Sequence, residues 1–376
     1  MKTPRVPYFD VRRQYEAYRS DFEQAVRSVL ASGTYILSRP VQEFEAAFSA
    51  YCGGEFGVGV GSGTDALTFS LKALGIGKGD EVILPAFTFM ATAFAVMHVG
   101  ATPVFADIDE CTYTLNPDSV ARMITRKTKV VIPVHLYGHP VDMDALRRVI
   151  GRKIAIVEDA CQGHGAAWKG KRVGGFGAAG CFSFYPTKNL GACGDGGMVV
   201  TSKASVAKAV QRSRNLGRLG NQGPHGELGW TSRLDALQAA LLLVKLKRLE
   251  SFIENRRRVA RFYSQCLNRS PLALPVEAPN ARHVYHLYVV RVPQGRRDAL
   301  QAWLAKHGIP TLIHYKIPIH RQPVYTRVFS RRWKLPVTEN HSREILSLPI
   351  FPEMKEAEVR MVCDAVARFF GIRQAP

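Results

Sequence analysis

The run Phe182-Ser-Phe-Tyr-Pro-Thr-Lys188-Asn-Leu-Gly191 sets one lysine just past a short apolar segment, among small and aromatic residues. That segment, Gly180–Phe184, is of strand type, and so are Glu81–Leu84, Thr102–Ala106, Lys129–Val134, Ile154–Glu158 and Gly197–Thr201. Helical patterns lie between them at Asp65–Leu74, Thr88–Val99, Pro117–Met123 and Met143–Ile150. Strands that alternate with helices need crossover connections, which predicts an α/β fold with a mostly parallel central sheet. Ligands of such sheets collect beyond the carboxyl ends of the strands. Lys188 stands at such an end.

Farther along, a long helical pattern from Arg233 to about Asn268 leaves this region. After the turn-rich stretch Ser270–Pro279 come a strand at His286–Val292, a helix at Arg297–His307, a strand at Thr311–His314 and a helix near Lys355–Phe369. The pattern predicts a smaller C-terminal α+β domain. Residues 1–40 read as an N-terminal helix and an extended, docked arm, 41–250 as the large domain and 251–376 as the small one.

The composition, 46% hydrophobic and 22% charged, is that of a globular protein. The first residues, MKTPRVPYFD, lack a secretory apolar run. The longest apolar candidate for a span, Ala86 to Val99, is short and broken by Thr88, Thr92 and His98. A cytoplasmic protein that crosses no membrane is expected. Cys52, Cys111, Cys161, Cys181, Cys193, Cys266 and Cys363 are odd in number and scattered, which predicts buried or half-buried thiols rather than disulfides or a zinc site. The net charge of +20 admits a polyanionic partner, small phosphorylated ligands or simple solubility. Basic clusters at Lys245–Lys247–Arg248, Arg256–Arg257–Arg258 and Arg331–Arg332–Lys334 lack interleaved aromatics, so they read as solvated faces and no nucleic-acid partner is expected. His135 and His139 have metal-ligand spacing, but Gly138 and Pro140 put them in a loop, and no metal is expected.

Four local features each have two readings. Gly61-Ser-Gly-Thr-Asp-Ala-Leu67 is either a turn with a helix cap or an anion cradle at a helix start. Glu158-Asp-Ala-Cys-Gln162 ends a buried strand in acids, which calls for a structural salt bridge or for a cation such as a protonated pyridine nitrogen. Lys188 is a surface lysine or a desolvated amine placed for Schiff-base formation, with Ser183 near enough to offer a hydroxyl to a phosphate. Phe89 packs in the core or stacks on a flat ring.

Their order along the chain resembles that of fold-type-I enzymes dependent on pyridoxal 5'-phosphate (PLP). More narrowly, nearly the whole chain resembles the DegT/DnrJ/EryC1/StrS family of nucleotide-sugar aminotransferases. The resemblance is carried by Ser32–Leu37, Gly61–Leu67, Glu158–Ala160, Phe182–Gly191, Ser232–Ala240 and His314–His320. It implies a Schiff base and a proton shuttle at Lys188, and a pairing of Asp159 with the ring nitrogen. Gln162 would approach the ring hydroxyl, and Phe89 would stack on the ring. Gly63, Thr64, Asp65, Ser183 and Thr231 would hold the phosphate. Tyr35, Tyr185, Arg233, His314, Tyr315 and His320 would face the sugar nucleotide, with sites shared across a homodimer. Three positions depart from the usual pattern: Thr231 replaces an Asn, Ser38 a Gly and Lys316 a Pro. The implied reaction moves an amino group from an amino acid, L-glutamate, to a nucleotide-linked keto-sugar, at C3 rather than C4. Dehydratases of the family replace the lysine with histidine; this chain keeps Lys188. A basic regulatory protein that keeps the fold without catalysis is the alternative from another class.

Overall fold

The computed structural model describes residues 5–220, 223–329 and 332–372; the opening residues 1–4 and Arg331 of the third basic cluster lie outside the described residues. The strands are β1 Phe56–Val60, β2 Glu81–Pro85, β3 Thr102–Ala106, β4 Thr128–Val131, β5 Ala155–Asp159, β6 Ala167–Trp168, β7 Lys171–Arg172, β8 Ala179–Ser183, β9 Gly197–Thr201, β10 Ala281–Arg282, β11 Tyr288–Arg291 and β12 Ile345–Leu348. One seven-stranded sheet has the order β1-β9-β8-β5-β4-β2-β3. β9 is antiparallel to both neighbours and the other pairs are parallel, so β9 alone runs against the rest.

Helices cover both faces. They are α1 Val11–Ala17, α2 Arg19–Ser32, α3 Arg39–Cys52, α4 Gly63–Ala73, α5 Met90–His98, α6 Pro117–Met123, α7 Met143–Ile150, α8 Ala204–Arg214, α9 Ala236–Leu246 and α10 Leu249–Leu267. Two of them match the predicted bounds because their starts are written locally. The Asn116 side chain accepts from Ser119 N and Pro117 opens α6; the Asp142 side chain accepts from Ala145 N to open α7. One face of the sheet buries Leu67, Phe69, Val96 and Val210, and another layer packs Val120, Leu146 and Ile150 against Ile83 and Val131. A strand buried on both sides reads as a continuous apolar run, which is why the central strands are visible in the sequence.

The C-terminal part pairs β11 with β12 antiparallel. Around this pair lie α10, α11 Arg297–Lys306 and α14 Glu356–Phe370; α12 Pro323–Val328 and α13 Pro336–Glu344 lie between. The N-terminal arm docks here: Val6 is fully buried in this core and Arg5 N donates to Gly308 O at 3.0 Å.

Four expectations need correction. The helical run from Arg233 is two helices, α9 and α10, parted at Lys247–Arg248, with Arg233 ahead of the first. Thr311–His314 forms no strand; Leu312 alone bridges Ser347, and the partner of β11 is β12. The first forty residues are mostly helical, in α1, α2 and the start of α3, so no long extended arm follows the first helix. Cys111 and Cys193 are exposed rather than buried. Among the described residues no helix is long and apolar enough to cross a membrane.

Candidate active site

A cavity of about 510 Å³ opens where β5 and β8 end. Gly63, Thr64, Phe89, Asp159, Gln162, Ser183, Tyr185, Lys188, His314 and Tyr315 all line it. Residues from five separated segments of the chain therefore meet at the carboxyl edge of the sheet, the place the topology favours for a ligand.

Lys188 lies on the loop between β8 and β9 and is half-buried. Its amine makes no ion pair with any described residue. Desolvation lowers its pKa, and the charges of Cys161 and Asp159 oppose that only in part. A lysine so placed spends more time as the free amine, the form that attacks a carbonyl.

Strand alternation sends the consecutive acids Glu158 and Asp159 to opposite faces of β5. Glu158 is fully buried and saturated: it accepts from Gly174 N at 2.7 Å, Phe176 N at 2.7 Å and Gly177 N at 2.8 Å, and meets His135 Nε2 at 3.1 Å. His135 Nδ1 in turn accepts from Val141 N, so both its nitrogens are engaged. The Asp159 carboxylate, on the cavity side of a residue that is 5% exposed, accepts from Thr92 Oγ1 at 2.8 Å and Cys161 N at 3.2 Å. No described cation pairs with it. A buried carboxylate without a counter-charge is costly, and a cation brought in by a ligand relieves that cost.

At the other end, Ser62 caps α4 by accepting from Asp65 N at 3.1 Å. The amides of Gly63 and Thr64 donate to no described residue, as first-turn amides lack intrahelical acceptors. A Cβ on Gly63 would stand 2.7 Å from both Cys161 Sγ and Ser183 Cβ, so only glycine lets the helix start approach β8 this closely. Free amides, the helix dipole and the Ser183 and Thr64 hydroxyls together suit a phosphate. Phe89 is 58% exposed at the cavity wall, its ring 5.9 Å from that of Tyr315. Gln162 accepts from Tyr137 N at 2.8 Å and donates to the Tyr315 hydroxyl at 3.1 Å, which holds its amide across the floor. Phosphate cradle, exposed aromatic, unpaired buried acid and desolvated lysine fit the parts of PLP one by one.

Five predicted residues fall elsewhere in the chain. The Asp65 carboxylate accepts from Ser232 Oγ at 2.8 Å and its amide is used by Ser62, so it fixes the helix start and does not line the cavity. Tyr35 is exposed, its hydroxyl near Leu30 O, and its carbonyl accepts from Ala236 N. Thr231 is exposed in a bridge with Asn215, and Arg233 Nη1 donates to Asn215 Oδ1 at 3.0 Å. Tyr35, Thr231 and Arg233 thus do not line this cavity. His320 is buried against Glu339, 3.1 Å from its Oε1, and does not line this cavity. Of the departures from the usual pattern, Lys316 is exposed and Ser38 is buried.

The cavity also holds Tyr8, Thr92, Cys161, Arg256 and His286, which sequence reading passed over. Thr92 left a trace: Thr88 and Thr92 sit four apart in an apolar run, and their hydroxyls meet at 3.2 Å on the way to Asp159. The others left none.

Residues 16–367 match the DegT/DnrJ/EryC1/StrS aminotransferase family. The chain belongs to that family. It is 44% identical to the dTDP-3-amino-3,4,6-trideoxy-alpha-D-glucose transaminase of Streptomyces venezuelae, over 97% of this chain and 96% of that protein. It is 41% identical to a pleiotropic regulatory protein of Geobacillus stearothermophilus, over 97% and 98% of the two chains. Among solved structures, S. venezuelae DesV in complex with a ketimine intermediate superposes with a TM-score of 0.94, at 44% identity, covering 99% of this chain and 100% of that one. The resemblance read from the motifs is therefore membership of the DegT/DnrJ/EryC1/StrS aminotransferases, and the α/β fold is theirs.

Proposed function

We propose that the protein is a PLP-dependent aminotransferase that moves an amino group from L-glutamate to C3 of a keto-sugar carried on a nucleoside diphosphate. The observation that carries this reading is the pair at one cavity, Lys188 without a carboxylate and Asp159 without a cation, facing a phosphate cradle. When bound, PLP supplies an electrophilic carbon and an electron sink. Lys188 would hold the cofactor, and its amine would move a proton at the substrate carbon. Asp159 keeps a proton on the ring nitrogen, with Thr92 fixing its orientation. Gly63, Thr64 and Ser183 bind the phosphate, Phe89 covers the ring and Gln162 meets its hydroxyl. Tyr185, His314 and Tyr315 line the way in for the acceptor. The exposed face with Tyr35, Thr231 and Arg233 serves a neighbouring copy in a homodimer, with Thr231 standing in for the usual Asn. The preference for C3 is supported by the Streptomyces venezuelae relative, whose substrate name carries its nitrogen there.

The test has two parts. Borohydride reduction of the PLP-loaded protein should fix the cofactor to the peptide containing Lys188; a label on any other lysine sinks the assignment. A panel of nucleotide-linked 3-keto and 4-keto sugars, with L-glutamate as donor, should show turnover on the 3-keto members. A protein with no visible cofactor band, inert toward glutamate, would instead be regulatory like its Geobacillus relative in name. Sharing of sites is checked by mixing Lys188→Ala with Arg233→Ala chains, which should restore part of the activity.

A further inference from the structure

One end of the cavity is built of polar groups that the reaction as described leaves unused. Arg256 on α10 lines the cavity and is 1% exposed. Its Nη1 donates to the carbonyls of Tyr285 at 3.3 Å, His286 at 3.2 Å and Ile350 at 3.2 Å, which fixes the guanidinium in place. Among the described residues its Nε has no partner and its guanidinium makes no ion pair. Glu353 lies within electrostatic reach, but its carboxylate accepts from Gln14 instead. Beside it, His286 is 7% exposed, and among the described residues neither its Nδ1 nor the buried Tyr8 hydroxyl has a hydrogen-bond partner; both side chains line the same cavity.

A strut between three carbonyls would explain Nη1 alone. It would not explain three unpartnered buried polar atoms, nor a buried full charge without a counter-ion, which is costly unless something answers it. Resting on the aminotransferase reading above, we propose that Arg256, His286 and Tyr8 form the subsite that takes a carboxylate of the amino-acid donor. A guanidinium is the side chain best shaped to hold a carboxylate, and a buried one discriminates strongly. Burial holds His286 well below the usual imidazole pKa, so it brings an N–H and no second charge. One positive charge matches one carboxylate better than it matches a diphosphate. The nearness of Lys188 to His286, whose charge acts on that ring, puts the subsite beside the reacting amine.

The experiment uses PLP-loaded protein and three probes. L-glutamate is followed through the change in cofactor absorbance, while glutarate, a dicarboxylate without an amine, and dTDP are followed by calorimetry. Arg256→Met should weaken glutarate and glutamate about 10–100-fold, the loss expected for one charge-assisted hydrogen bond. dTDP affinity and the resting cofactor spectrum should not move, and Arg256→Lys should recover part of the loss. Tyr8→Phe, which removes only an unpartnered hydroxyl, should weaken glutarate roughly 3–10-fold with no change in melting temperature. It keeps the test decisive should Arg256→Met fail to fold. Loss of dTDP affinity in place of glutarate, or unchanged glutarate binding in Tyr8→Phe, overturns the subsite. If the wild type itself gives no absorbance change with glutamate, the aminotransferase reading fails first, and the subsite with it. A responsive wild type with equally responsive variants refutes the subsite alone.

Discussion

Glu158 and Asp159 are neighbours on one strand, yet the two sides of β5 are built to opposite ends. Behind the sheet, Glu158 has four donors converging on two oxygens and nothing left to offer. In the cavity, among the described residues, the Asp159 carboxylate has two donors and no cation, Lys188 has no anion, and Arg256 has carbonyls only. The saturated side ties β5 to the turn at Gly174–Gly177 and so fixes where Asp159 stands. The unsaturated side keeps its charges for a ligand. Stability and reactivity are thus separated by one residue step, the smallest separation a strand allows.

The contrast can be broken from either side. Lys188→Ala removes both the cofactor bond and the proton carrier, and turnover should fall by about 10³-fold or more, since a positioned acid–base group alone contributes about 10²–10⁴. Stopped-flow with glutamate measures it. Asp159→Asn keeps the shape and removes the charge that answers the ring nitrogen; loss of one partner of a buried pair, about 3–5 kcal/mol, translates to roughly 10²–10⁴-fold in the half-reaction. Without cofactor the same change should not lower the melting temperature, because it relieves an unpaired buried carboxylate. Glu158→Gln should do the reverse: each donor left unpaired costs roughly 1–3 kcal/mol, so the melting temperature drops while cofactor binding in the folded fraction persists. Equal thermal effects of the two changes would erase the distinction. Gly63→Ala should overpack the cradle against Cys161 and Ser183, at about 1–3 kcal/mol, read as weaker cofactor binding by fluorescence titration. Smallest is Thr92→Val, which removes one donor to Asp159 and should slow the glutamate half-reaction about tenfold or less.

What the sequence disclosed follows the same division. The strands that end at Asp159 and shortly before Lys188 are short, mainly apolar and bounded by turns, and their alternation with helices predicts a mostly parallel sheet. The phosphate cradle is legible too, because glycine, cap and helix are adjacent in the chain. Arg256, His286 and Tyr8 are not legible, since each comes from a different segment and only tertiary packing brings them together. A run of three arginines on an amphipathic helix looks the same whether all are solvated or one is turned inward. The contact of His320 with Glu339 is hidden for a similar reason: the acid lies farther along the chain, on α13. Thr311–His314 has strand composition, but a single bridge at Leu312 is all the neighbouring chain permits.

Because β9 runs against β8, the loop bearing Lys188 leaves and rejoins the sheet at one pair, Ser183 opposite Gly197. Gly197 also touches the chain just ahead of α4, where an added Cβ would lie 2.3 Å from Ser62 O. Both ends of the lysine loop and the start of the cradle are therefore bolted to the same spot. A shear of the C-terminal part over the sheet would carry Arg256 and His314 with it and leave this mount untouched. The distance from amine to cradle is then insulated from whatever motion lets two chemically different substrates take turns in one cavity.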